Sequence, residues 1–123
     1  MSRTFETMLD SYAELAVKVG VGLKPGQRLL VRASIECADL ARRVTDHAYR
    51  AGALLVDVLY DDEQVALTRY EQAPEASFDE VSTWAADAMI KGTERGDAIL
   101  SIRASDPGLL KDQDPDRVAK VQK

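Results

Sequence analysis

The sequence predicts an α/β domain: a small parallel sheet of about three strands, with helices on both of its faces. Three observations carry that prediction. Segments with apolar residues three and four apart alternate with short apolar, β-rich runs. The run "ALLVDVLY" (53–60) is nearly all apolar, as a strand covered on both sides should be. Each pair of successive strand-like runs is separated by a helical segment, and strands joined by helical crossovers must run parallel.

The elements follow in order. Phe5, Leu9, Tyr12, Ala16 and Val19 step by three and four and predict an amphipathic first helix of about four turns. The glycines and proline of "GVGLKPGQ" end it in a turn. "RLLVRA" (28–33) reads as the first strand. Cys37, Ala41, Val44, Ala48 and Ala51 restore helical spacing, and Gly52 is placed to close that helix. After the second strand, Asp61 or Asp62 can cap a short helix reaching about Glu71, and Pro74 ends it. Ser77 with Glu80 has the spacing of a capping box. Phe78, Val81, Trp84, Ala85, Ala88 and Met89 would be the buried stripe of the helix it opens, and Gly96 its stop. "DAILSIRA" (97–104) is the third strand. Asp114 and Pro115 predict the start of a last helix, with Val118 and Val121 on one face. Right-handed crossovers give strand order 2-1-3, half of a doubly wound, Rossmann-like fold. Such folds usually have more strands, so both the sheet and the last helix are expected to continue in further chain.

Composition narrows the function. With 123 residues, 46% hydrophobic and 30% charged, the chain is one domain's worth of globular protein. A single cysteine rules out an internal disulfide, no run is long and apolar enough to span a membrane, and a cytoplasmic location is expected. Residues 1–60 hold 8 Lys/Arg against 7 Asp/Glu, and residues 61–123 hold 8 against 14. An acidic second half without a basic, aromatic-interleaved stripe argues against nucleic-acid binding.

Ligands of open α/β sheets sit beyond the carboxyl ends of the strands. Those ends carry Ser34 and Glu36, then Asp61, Asp62 and Glu63, then Arg103, Ser105 and Asp106. They could form one wall of a substrate cavity, and Asp61, Asp62 and Asp106 could hold a hard cation. Each also stands where a helix cap is needed, which favours capping. Cys37 and His47 are the only residues of their kinds and lie ten apart on one helix, about 15 Å along its axis, so they make no dyad. Cys37 reads as a small core residue, His47 as a polar-face or helix-end residue, and Tyr12 and Trp84 as core. One cysteine and one histidine are too few for a nitrogen/sulfur zinc site. The glycines at 20–26 precede a strand, the reverse of a dinucleotide fingerprint.

Four stretches together, "GVGLKPGQRLLVRA", "AYRAGALLVDVLYDDEQ", "EQAPEASF" with "WAADA", and "ERGDAILSIRASDPGLLKDQDPDRVAKVQK", resemble the start of the thermophilic-type metallo-aminopeptidases, the aminopeptidase T and PepS group. The resemblance runs from about Tyr12 to Lys123. It implies a hydrolase that removes residues from the amino end of peptides with two divalent metals, zinc or cobalt, in a homodimer. The family's metal ligands and catalytic residues lie in a later domain, and no position here matches them. Residues 1–123 are therefore expected to be a non-catalytic N-terminal α/β domain, with no catalytic, cofactor or metal residue of its own. The alternative is a free-standing binding, dimerisation or receiver-like domain. A receiver needs an acidic pair after its first strand, and Ser34 and Glu36 stand there instead.

Overall fold

The computed structural model describes residues 3–103, so the predicted last helix, Ser105 and Asp106 lie outside the described residues. Helix α1 spans Arg3–Leu15 and runs on through a wide π-turn, Ala16–Gly20. Strand β1 (Arg28–Ser34) leads through a 3-10 turn (Ile35–Cys37) into α2 (Ala38–Arg50). Strand β2 (Leu55–Asp61) is followed by α3 (Glu63–Gln72), a 3-10 turn (Glu75–Asp79), α4 (Trp84–Arg95) and β3 (Ala98–Ile102). The three strands form one parallel sheet in the order β2-β1-β3, as the crossover argument predicts.

The register divides the sheet into two unlike faces. Paired residues of a parallel sheet point the same way, and successive residues alternate. Leu29, Val31 and Ala33 of β1 therefore share a face with Val56 and Val58 of β2 and with Ala98, Leu100 and Ile102 of β3. Against this face pack Ala13 and Val17 of the first helix and Ala41, Val44 and Ala48 of α2, all fully buried. Small residues on α1 and α2 bring the two helices close to each other and to the sheet. The opposite face carries Arg28, Leu30, Arg32 and Ser34 from β1, Leu55, Asp57, Leu59 and Asp61 from β2, and Ile99 and Ser101 from β3. Helix α4 lies on this side, where an Arg32 guanidinium N–H meets the Met89 sulfur at 3.4 Å.

Helix α2 ends as its sequence requires. Gly52 takes φ +101°, its N–H donates to the Tyr49 carbonyl, and the Ala53 N–H reaches back to Ala48 at 3.0 Å. A Cβ at Gly52 would also press on Pro25 at 3.1 Å, so glycine is required twice over. Asp62 accepts from the Gln64 N–H at 2.9 Å and caps α3.

Three expectations fail, each for a local reason. The capping box at Ser77 does not form. Arg69 donates instead to the Ser77 hydroxyl and to the carbonyls of Ser77 and Glu80, which holds the segment in a 3-10 turn and delays α4 until Trp84. Phe78 is buried, but in a small satellite cluster stacked on Tyr70 with centroids 5.9 Å apart. Val81 and Trp84 are exposed instead of forming a buried stripe. Likewise Phe5, Tyr12 and Val19 are exposed, because Ala13 and Val17 face the core. His47 does sit in the last turn of α2, but it is buried, its Nε2 3.2 Å from Asp10 of α1.

Candidate functional site at the carboxyl ends of the strands

Three charged side chains from three strands meet at the carboxyl edge of the polar face. Asp61 ends β2, Arg103 follows β3, and Arg32 comes from the central strand. The Arg103 guanidinium donates to Asp61 Oδ2 at 3.1 Å, and Arg32 stands 4.0 Å from the same oxygen. β1 lies between the other two strands, so this bridge spans the end of the central strand, where Ser34 is short and buried. The three-strand contact clamps the sheet at the end where α/β proteins seat their ligands.

Two grooves flank the clamp. One of about 540 Å³ opens between the sheet and α4, with Arg32, Ala85, Met89 and Ile90 among its walls. The other, of about 580 Å³, lies beyond β2 against α3 and is lined by Ile35, Tyr60, Asp61 and Val65. Both reach Ser82, in the stretch Arg69 holds non-helical.

The carboxylates predicted here divide by job. Asp62 is occupied as the α3 cap. Asp61 faces two guanidinium groups, whose positive charge opposes a cation at the same oxygens. Glu36 is exposed on the 3-10 turn, and Glu63 lies in the first turn of α3. Among the described residues no group of three His, Cys, Asp or Glu side chains converges as metal ligands would. The described donors at this edge, with Asp61 facing guanidinium groups and Asp62 capping a helix, do not fit a di-metal centre. Cys37 is only half-buried and lines a separate groove beside β3 with Leu9, Tyr12, Leu40 and Leu100. His47 is buried between α1 and α2, its Nε2 3.2 Å from Asp10 and its Nδ1 3.9 Å from Glu14. Among the described residues no helix is long and apolar enough to cross a membrane.

Arg32 is the residue the sequence reading missed. The available signal was a charge in the middle of "RLLVRAS", in a strand expected to be covered on both faces.

Comparison with known proteins agrees with this geometry. The family model for thermophilic metalloproteases (M29) matches residues 5–123. The chain is 46% identical over 119 residues to aminopeptidase 2 of Geobacillus stearothermophilus, covering 97% of this chain and 29% of that protein. It is 37% identical over 119 residues to aminopeptidase T of Thermus thermophilus, again covering 29% of the relative. The solved structure of wild-type AmpT from Thermus thermophilus superimposes with a TM-score of 0.90 at 36% identity, over 96% of this chain and 30% of that one. The chain thus spans less than a third of the length of the relatives it matches, and across that span it belongs to the thermophilic metalloprotease (M29) family.

Proposed function

We propose that this chain is the N-terminal, non-catalytic part of a metal-dependent aminopeptidase that hydrolyses N-terminal residues from peptides. One observation carries the reading: the match to aminopeptidase 2 takes in 97% of this chain but only 29% of that protein. The donor chemistry at the strand ends supports it, because Asp61 is held by guanidinium groups and Asp62 by a helix end. In the whole protein, two divalent ions, zinc or cobalt, would be held by residues outside this chain. When bound, such ions activate water and polarise a carbonyl. The contribution of this chain would be a wall. The Arg32–Asp61–Arg103 cluster joins the carboxyl ends of the three strands, and the grooves beside it supply apolar surface for a peptide or an adjoining domain. A cytoplasmic homodimer acting on peptides is the corresponding proposal for the whole protein.

The test is hydrolysis of leucine p-nitroanilide by this chain, with zinc or cobalt added. No chelator-sensitive turnover is expected. Turnover that needs the ion and disappears on chelation would overturn the non-catalytic assignment.

A further inference from the structure

The central strand carries a charge where a covered strand ordinarily has none. Arg32 pairs with Leu59 of β2 and Ser101 of β3, so its side chain leaves the sheet on the face that α4 covers. Only 27% of that side chain is exposed. A guanidinium has five N–H donors, and a carboxylate is the acceptor that matches their planar fork. Arg32 has no such partner to itself among the described residues. Its contact at 3.4 Å is the Met89 thioether, a weak acceptor. Asp61 Oδ2, at 4.0 Å, already accepts from Arg103 at 3.1 Å. Two guanidinium groups thus share one carboxylate oxygen, which leaves a surplus of positive charge at Arg32.

That surplus faces an apolar cleft. The groove of about 540 Å³ between the sheet and α4 sets Ala85, Ala86, Met89 and Ile90 beside Arg32. Small-ligand clefts have volumes of about 300–1,000 Å³ and mostly apolar walls, with a few polar groups that fix orientation. Glu94 lines the same groove, and among the described residues no ion pair joins it to Arg32. One cleft therefore offers a cation, an anion and an apolar wall. A zwitterion with an apolar body matches all three. The groove beyond β2 is built differently: its Arg69 is engaged by Ser77 and Glu80, and Asp61 and Asp62 add negative charge.

We propose that the α4 groove binds a short apolar peptide, its C-terminal carboxylate on Arg32 and its ammonium group toward Glu94. The choice of a peptide rests on reading the chain as part of an enzyme that acts on peptides, and gives this chain a binding site within that reading. Charge complementarity makes Arg32 the anchor. Glu94 is exposed and contributes less, because solvent screens its charge.

The test titrates this chain, labelled at its methionine methyl groups, with the dipeptide Leu-Leu. The Met89 resonance is expected to shift, while that of Met8, exposed on α1 at the other face of the sheet, stays in place. Leu-Leu amide, which lacks the carboxylate, is expected to bind about tenfold or more weakly. N-acetyl-Leu-Leu, which lacks the ammonium charge, should lose only about two- to threefold. Arg32→Gln is expected to erase the preference for acid over amide. Equal binding of acid and amide by the parent chain would overturn the proposal, and that comparison needs no variant. So would a Met89 resonance that stays in place at millimolar peptide, or an acid preference that survives Arg32→Gln. A dimer mass whose formation shifts Met89 without peptide would assign the groove to a second copy and overturn it too. The readout is binding and not turnover, so failure here leaves the aminopeptidase reading standing. Loss of that reading on turnover would leave the measured acid preference intact.

Discussion

The two faces of the sheet are built from alternate residues of the same strands, yet they do different work. One face is buried at its centre, Leu29, Val31 and Ala33, under two helices with small contact residues, and partly buried at Val56, Val58, Leu100 and Ile102 on the outer strands. The other carries arginines and aspartates on the same strands and is covered mainly by α4. A parallel sheet is ordinarily apolar on both sides. The departure here teaches that apolar packing and charged side chains have been separated onto opposite sides. The buried face supplies hydrophobic free energy, and the polar face holds the clamp and the grooves.

That comparison can be broken by mutation. The largest effect should come from Leu29→Ala on the buried face, at about 2–5 kcal/mol in urea unfolding. A loss under 1 kcal/mol would mean that the buried face is not the core. Next is Arg69→Ala, which removes donors to the Ser77 hydroxyl and to two carbonyls. It should cost about 1–3 kcal/mol and raise exchange in 75–83 more than in β1. Arg103→Ala on the polar face should cost no more than about 1 kcal/mol, because the pair is part-exposed and screened by salt. A larger loss would make the clamp a second core.

The smallest effect concerns Tyr70. Burial raises its phenol above the ordinary value, opposed by the Arg69 charge, and its hydroxyl has no hydrogen-bond partner among the described residues. The unfolded phenol loses its proton first, near about pH 10, so above that pH the folded state holds more protons and stability falls. Tyr70→Phe should leave stability at pH 7 within about 1 kcal/mol of the parent and flatten this alkaline decline. An unchanged decline would assign it to other groups.

Strand order and the helix ends marked by Gly52 and Asp62 were legible because each rests on a general rule. Gly52 closes α2 and Asp62 caps α3 whatever the rest of the molecule does. The fates of Tyr12 and Trp84 were not legible, because periodicity identifies an apolar stripe but not which stripe is covered. Val17, five residues beyond Tyr12, took the core position instead. The Ser77 box failed for a non-local reason, since Arg69 lies eight residues upstream and outcompetes a helical first turn. Asp61 was found at the carboxyl edge by position alone, but its partners came from two other strands and became visible only with the register.

The central proposal is that these 123 residues are the N-terminal part of an aminopeptidase whose chemistry resides outside them. It is tested most directly by leucine p-nitroanilide turnover, with cobalt or zinc, by this chain and, side by side, by a chimera in which it replaces the matching segment of Geobacillus aminopeptidase 2. The account predicts chelator-sensitive turnover by the chimera and none by the chain. Equal metal-dependent turnover by the chain alone would contradict it.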